Sequence, residues 1–414
     1  MLKGRTLRHR LHIPPSLYHR RFLYLWIGLL ISTAGTQMQL WALFWHVRTL
    51  TPQPIALGGI GLARILPVII FSLLGGVAAD KFDRRKIYFL AEVVLTLVAA
   101  TLAWLTYRQW ISLWHIYLLT AIQATASAFD GPARQSLVPN LVSKDDLPNA
   151  FSMTSIAAQT GAILGPAISG WIIAYLGLAY PYFFNALSYL AVLLALVMIG
   201  PVPQQIVNNH GSIFDGDAIR EGLKFIFSQP LIFGSMLLDF FATFFSSANT
   251  LMPIVARDVL HVGEIEYGWL SSGQAVGAVL AALFVSQRKV IRHQGPVFLI
   301  SVVVFGFATI IFGTARVLWL AMIALILIGA ADAISTIIRN TIRQLLTPDY
   351  LRGRMTSVNQ IFFIGGPQLG EVEAGLVAQF FGVPIAIISG GVGCIVAVAW
   401  IVRRLPQLWH YDGV

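Results

Sequence analysis

The chain has little charge and almost no cysteine. Only 11% of its 414 residues are charged, against about a quarter in an ordinary soluble domain, so a soluble enzyme is excluded. The single cysteine, Cys394, has no partner for an internal disulfide. A phosphate-binding Gly-x-x-x-x-Gly-Lys-Ser/Thr loop, a Gly-x-Ser-x-Gly nucleophile elbow and a Cys/His cluster with metal-ligand spacing are also absent from the sequence. The sequence therefore predicts no enzyme, no cofactor and no metal site.

Apolar sequence is abundant instead. Hydrophobic residues make up 57% of the chain, and the mean hydropathy is +0.75. A bilayer core of roughly 30 Å is crossed by about 20 apolar residues in a helix, and twelve continuous runs meet this length. The runs lie at 22–46, 54–79, 87–107, 111–138, 148–177, 180–200, 231–258, 265–287, 295–315, 317–343, 353–381 and 383–402. They predict an all-α membrane protein with twelve transmembrane helices in two six-helix bundles.

Lys and Arg residues are concentrated in the loops on one side of these spans, whereas Arg48, Arg108, Arg257 and Arg316 lie on the other side. The positive-inside rule then predicts that both termini are cytoplasmic, in a bacterial inner membrane. The net charge of +10 is explained by this topology and by contact with anionic lipid. The bilayer is thus an expected partner and nucleic acid is not.

The most polar stretch between spans predicts a domain boundary. Residues 201–230 read as a cytoplasmic linker that contains an amphipathic helix at 215–227, between an N-terminal bundle at 1–200 and a C-terminal bundle at 231–414. With an offset of 205 residues, Arg134 falls on Arg339 and Gly165 on Gly370. Such matches favour a parallel duplication of a six-span unit.

Two short stretches are candidates for functional motifs. The loop after the second span runs Gly75-Gly76-Val77-Ala78-Ala79-Asp80-Lys81-Phe82-Asp83-Arg84-Arg85-Lys86. We expect Gly76 to allow a close helix approach and Asp80 to form an ion-pair latch with the bases that follow it. In the fifth span, Gly161, Gly165 and Gly170 provide a small-residue face, and Pro166 opens the backbone hydrogen-bond ladder.

Both stretches resemble signatures of the major facilitator superfamily. Gly76, Asp80 and Arg84 match its loop signature, with Asp83 in place of the usual second glycine. The fifth span resembles its antiporter signature, with Ser169 departing from the pattern. Residues 129–135, 149–150 and 352–354 further resemble a branch that contains enterobactin exporters and macrolide-efflux proteins.

The resemblance implies a secondary transporter that works by alternating access. It favours a monomeric, proton-coupled exporter of an amphipathic small molecule, either a siderophore or a drug. It also implies a cytoplasmic gate in which Arg84 pairs with Asp130 in the outward-open state, with Asp80 and Arg134 close by. An importer of the same fold, or a transporter-like membrane sensor, is the alternative.

Ionisable groups inside the spans are candidates for proton and cargo binding, because such groups are costly in lipid. Asp239 lies eight residues past Leu231, or about 12 Å into the seventh span, and ranks first as a proton carrier. Glu373 and Glu371 follow it. Glu92, near the start of the third span, is expected to extend towards basic residues at the membrane surface.

Polar and aromatic residues in the spans that the resemblance places around the cavity are candidate cargo contacts, since aromatic rings and amides suit a bulky amphipathic molecule. Their alternative role is helix–helix hydrogen bonding. The candidates are Gln37, Trp41, Asn249 and Gln360, and Arg64 in the second span is a candidate contact for an anionic cargo. For Arg64, pairing with a carboxylate is as strong an expectation as cargo contact. Residues 111–129 contain no arginine, so proton coupling rests on the resemblance.

Overall fold

The computed structural model describes residues 14–204, 224–245, 248–288, 292–348 and 351–413. Within these ranges the chain is helical and forms no strand. Its long helices, α1 to α12 in chain order, are Arg20–Leu50, Pro54–Lys81, Arg84–Tyr107, Leu113–Leu137, Leu147–Leu176, Ala179–Ile199, Pro230–Phe245, Glu264–Ser286, Gln294–Thr314, Leu318–Leu346, Arg352–Phe381 and Val383–Arg404.

Ten segments of the described chain are long and apolar enough to cross a membrane. The long helices outside this set are α4 and α11, which have the length but carry more polar residues, such as Asp130 and Arg134 in α4 and Glu371 and Glu373 in α11. The chain is therefore a multi-pass α-helical membrane protein.

Large apolar side chains cover the outside of the molecule. Leu97 of α3, Leu194 of α6, Phe307 of α9 and Ile323 of α10 are all more than half exposed. A soluble protein rarely presents so much contiguous apolar surface, whereas hydrocarbon solvates it at no cost. This surface is the one that faces lipid.

The helices pack in two groups of six. In the first group, α1 contacts α5 and α6, α2 contacts α4, and α3 contacts α4 and α6. In the second group, α7 contacts α11 and α12, α8 contacts α10, and α9 contacts α10 and α12. The exact boundaries at 1–200, 201–230 and 231–414 stay predictions. Of the predicted helix at 215–227, the part before Lys224 lies outside the described residues; from there a short helix buries Ile226 and exposes Phe227.

The two groups meet along two helix pairs, α5 with α8 and α2 with α11, which we call the seams. In the first seam, a Cβ placed on Gly170 would lie 3.0 Å from the Cα of Gly268. In the second, a Cβ on Gly375 would lie 2.9 Å from the Cα of Gly58. Side chains would separate these helices, so both seams depend on glycine for backbone-to-backbone contact.

Candidate transport pathway and gates

The two ends of the helices define two faces. The termini face is where α1 begins and α12 ends, and the opposite face is where α1 ends and α8 begins. At the opposite face, Arg48 at the end of α1 makes a bidentate ion pair with Asp258, in the π-helical segment Val255–Val259 that precedes α8. Its Nη2 donates to Asp258 Oδ2 at 2.7 Å and its Nε donates to the same oxygen at 3.1 Å. This ion pair joins the two groups of helices.

Aromatic rings pack between the two groups of helices just below this ion pair. The Tyr267 hydroxyl donates to the Trp41 carbonyl oxygen at 2.8 Å. The Tyr267 ring lies 4.8 Å from the Trp45 ring and 6.1 Å from the Trp41 ring, between centroids. Trp41, a predicted cargo contact, is only 8% exposed. Trp41 is therefore part of this contact between the two groups of helices.

A second ion pair joins the groups at mid-span. Arg64 of α2 donates from Nη1 to Oε1 of Glu371 in α11, at 3.3 Å. Gly61, one turn earlier, has no side chain to hold the helices apart: a Cβ there would lie 2.6 Å from the Gln368 carbonyl oxygen. Of the two roles expected for Arg64, the structure therefore shows pairing with a carboxylate. A cargo contact for Arg64 stays a prediction.

The loop between α2 and α3 differs in one respect from the expectation. A Cβ on Gly76 would meet no atom within 4 Å, so the predicted close approach at Gly76 is wrong. The approach is made by its neighbour Gly75, where a Cβ would lie 3.2 Å from the Cα of Phe129 in α4. Asp83, in place of the usual glycine, is the N-cap of α3 and accepts from the backbone amides of Arg85 and Lys86.

The other predicted gate residues lie next to this loop. Asp130 and Arg134 approach each other at 3.9 Å, one turn apart on α4. Arg84 donates from Nη1 to the Ser136 carbonyl oxygen at 3.1 Å, which ties the start of α3 to the end of α4. The Arg84–Asp130 pair, expected for the outward-open state, stays a prediction. The side chain of Asp80 lies outside the described residues.

The antiporter-like motif of α5 serves two different contacts. Gly161 and Gly165 face α1, where a Cβ on Gly165 would lie 2.6 Å from the Cβ of Gln37. Pro166 and Gly170 face α8, with the Pro166 carbonyl oxygen 2.7 Å from a Cβ placed on Gly268. The motif therefore packs α5 against its own bundle and against the other one.

In the second group of helices, Asp239 of α7 forms an ion pair with Arg339 of α10. Both side chains are almost fully buried, with 3% of Arg339 and 2% of Asp239 exposed. Burying such a pair costs solvation on both sides, so removing either charge would be strongly unfavourable. The pair therefore connects α7, which packs against α11 and α12, to α10. Sequence reasoning selected Asp239 but did not identify its partner.

The remaining candidates are spread over the same group. Glu373 is half-buried on α11. The Asn249 side-chain oxygen accepts from Gln274 Nε2 at 2.9 Å, so this predicted cargo contact has the alternative role of a helix-to-helix hydrogen bond. The side chain of Gln360 lies outside the described residues.

A cavity of about 160 Å³ lies inside the first group of helices and was not predicted. Glu92, Asp130, Arg134 and Gln37 are among its lining residues. Glu92 is 3% exposed and faces this cavity, so the prediction that it extends to the membrane surface is wrong. The sequence signal for this cavity is the spacing of Tyr88 and Glu92, which are four residues apart on one face of α3.

The profile of the transmembrane secretion effector family, within the major facilitator superfamily, matches residues 14–412. The chain belongs to this family. It is 28% identical over 322 residues to the enterobactin exporter EntS of Salmonella typhimurium, covering 77% of this chain and 76% of that one. Over 319 residues it is 27% identical to EntS of Citrobacter koseri, with the same shares covered. The chain is thus a membrane transporter and not an enzyme.

Solved structures of other transporters share the fold. A bacterial homologue of the human lysosomal transporter Spinster, in an inward-facing and occupied conformation, superimposes with a TM-score of 0.74 at 14% identity. The match covers 97% of this chain and 100% of that one. A peptide-bound transporter of the POT family gives a TM-score of 0.75 at 13% identity, with 96% and 99% covered. At these identities the likeness concerns the fold alone.

Proposed function

We propose that this transporter exports an amphipathic small molecule across the bacterial inner membrane by alternating access. In this proposal the twelve long helices all span the bilayer, and the basic termini face is cytoplasmic. The observation that carries it is the position of the contacts between the two bundles. The Arg48–Asp258 pair, the Tyr267 hydrogen bond and the Arg64–Glu371 pair all lie between the opposite face and mid-span.

Contacts placed in this way favour a state that is closed to the outside and open to the cytoplasm. Cargo would reach the space between the bundles from inside the cell. The bundles would then rock about the seams, break the contacts at the opposite face and bring the basic loops of the termini face together.

The cargo class follows from the relatives. Both EntS proteins are described as enterobactin exporters, so we propose a siderophore of that chemical kind, or a drug of similar size, as cargo. Aromatic residues towards the opposite face, such as Trp41 and Trp45, suit a cargo with aromatic rings.

Deletion of the gene tests the direction and the cargo. We expect the deletion strain to accumulate siderophore inside the cell or to become sensitive to amphipathic drugs, and plasmid-borne wild type to reverse the effect. Reduced uptake of an external compound would favour an importer instead. A strain unchanged in both export and uptake would favour a sensor and refute the exporter.

Proton coupling is proposed through Asp239. Protonation would neutralise its charge and free Arg339, which the buried pair otherwise holds between α7 and α10. A pair with two stable arrangements can link proton binding to bundle movement, provided that cargo and proton favour different states. Glu373 and Glu371 are the further candidates, and loss of charge at Glu371 would release Arg64 across the seam.

Proteoliposomes with an imposed pH gradient test this assignment, with enterobactin as the transported probe. We expect Asp239→Asn to lose the acceleration by the gradient while it still exchanges cargo at equilibrium. Asp145→Asn, the same change at an exposed acid in the loop before α5, is the matched control and should behave as wild type. Full gradient-driven transport by Asp239→Asn would rule out Asp239 as the carrier.

A further inference from the structure

The cavity in the N-terminal bundle has a polar lining although it lies between five helices. Its polar and titratable groups come from every one of these helices except α5, which contributes Ala158. They are Tyr88 and Glu92 of α3, Asp130, Arg134 and Ser127 of α4, Ser32, Thr33, Thr36 and Gln37 of α1, and Tyr189 of α6. A volume of about 160 Å³ is well above the roughly 10–15 Å³ that one water molecule requires, so several waters fit.

The charges in this cavity do not balance. Asp130 and Arg134 are one helical turn apart, with 3.9 Å between Asp130 Oδ2 and Arg134 Nη2, so the guanidinium compensates one carboxylate. Glu92 is a second carboxylate facing the same space, and Tyr88 and Tyr189 are neutral at physiological pH. An ionised Glu92 would therefore leave one negative charge uncompensated inside the bundle.

The hydrogen bonding of Glu92 is incomplete as well. Its Oε2 atom is buried and has no hydrogen-bond partner, and the same holds for Asp130 Oδ1. A buried carboxylate that shares its nearest cation, Arg134, with Asp130 and has the Tyr88 hydroxyl as a donor is still costly, whereas a carboxyl group that has bound a cation carries no net charge. The residue is 3% exposed, so neither lipid headgroups nor bulk water can supply the missing charge.

We propose that this cavity is a cation-binding site in the N-terminal bundle and that a proton on Glu92 is the cation it holds. The site is separate from the Asp239–Arg339 pair, which lies in the other bundle. Asp130 and Arg134 form its outer edge, with 17% and 32% of their side chains exposed, and give the proton an access route through water.

The site is also in contact with the gate at the termini face. Arg134 is two residues before Ser136, whose carbonyl oxygen accepts from Arg84 at the start of α3. An ionised Glu92 would compete with Asp130 for Arg134 and so pull on the end of α4. The coupling role rests on the proposed transport function; the binding of the proton does not.

Infrared absorption of protonated carboxyl groups tests the binding directly, on purified full-length protein at neutral pH in choline chloride. We expect Glu92→Gln to lose one protonated-carboxyl band that wild type and the exposed-acid control Asp145→Asn both retain. Glu92→Asp should keep the band at a shifted position, which provides the test if Glu92→Gln does not fold. A folded Glu92→Gln with the wild-type spectrum would overturn the proposal. Loss of the wild-type band on replacing choline by sodium would also overturn it, because the site would then hold Na⁺.

Transport then tests the role of the site. In proteoliposomes with enterobactin as probe, we expect Glu92→Gln to lose the acceleration by a pH gradient and to keep equilibrium exchange. If the band is lost but gradient-driven transport persists, the coupling role is refuted and the proton site stands. If wild type itself moves no enterobactin, the failure lies with the proposed cargo, and the infrared result is unaffected.

Discussion

The Arg48–Asp258 pair makes the closed state of the opposite face testable. Asp258→Asn keeps the shape of the side chain and removes its charge. Arg48 Nη2 contacts both carboxylate oxygens, at 2.9 Å and 2.7 Å, so the substitution weakens a bidentate interaction across the two bundles. Because the pair joins residues of different bundles, it stabilises only the state that is closed at this face.

The expected magnitude is modest. The side chains of Arg48 and Asp258 are 16% and 38% exposed, so water screens the pair. An ion pair of this kind contributes about 1 kcal/mol, and its loss would change the ratio of the two states about fivefold. The substitution should shift the equilibrium towards the state that is open at the opposite face and closed at the termini face.

Distances between spin labels measure this ratio. Lys144, before α5, and Gln287, after α8, are exposed positions at the termini-face ends of the first seam, and cysteines there can be labelled while Cys394 stays buried. We expect Asp258→Asn to increase the population with the shorter distance. The exchanged pair Arg48→Asp with Asp258→Arg should restore the wild-type distribution. An unchanged distribution in Asp258→Asn would refute the reasoning.

Three further changes test the local structure. Asp83→Ala removes the N-cap of α3 and should lower the free energy of unfolding by about 1 kcal/mol, whereas Asp83→Gly should cost only a few tenths; equal losses would contradict the cap. The hydrogen bond from His19 holds the pKa of Asp146 below its ordinary value. The contact therefore stabilises the fold fully at pH values above the ordinary pKa of an aspartate, and this stabilisation is lost as the pH falls through the lowered pKa of Asp146. In Asp146→Asn the melting temperature should therefore fall less steeply with decreasing pH than in wild type. The same pH dependence in both proteins would contradict this contact. The valine side chain of Gly61→Val would press on the Gln368 carbonyl oxygen, so this substitution should lower the free energy of unfolding by about 1–3 kcal/mol. Gly76→Val, where the space is open, should lower it less, and denaturation of both variants measures the difference.

Hydrophobic runs predicted most of the helices, because a span in lipid must be both long and apolar. The first run, at 22–46, corresponds to Arg20–Leu50, and the third, at 87–107, corresponds to Arg84–Tyr107. The seventh run, at 231–258, is continuous in hydropathy, but its described residues change helix type: Pro230–Phe245 is α-helical, Ala248–Leu251 is a 3-10 helix and Val255–Val259 is π-helical. Pro253 lacks an amide hydrogen and therefore interrupts the backbone hydrogen bonds of the helix. A hydropathy profile does not detect this interruption.

The candidate site was less predictable, because its pairs join residues far apart in the chain. Arg64 and Glu371 are 307 residues apart, and the period of a helix indicates a face but not the neighbour on that face. Glu92 was misplaced for a related reason. Lipid and bundle interior are both apolar, so the pattern around Glu92 cannot distinguish a helix face that meets hydrocarbon from one that meets other helices.

The glycine contacts of the two seams have a consequence for the speed of the transport cycle. Where Gly58 meets Gly375 and Gly170 meets Gly268, main chain touches main chain and no side chain interlocks. When the helices slide past each other at these glycines, no side chain has to change its rotamer and no methyl group has to leave a packed position. The rate of conversion should therefore depend on the ion pairs that join the two bundles, Arg48–Asp258 and Arg64–Glu371, far more than on friction at these glycine contacts.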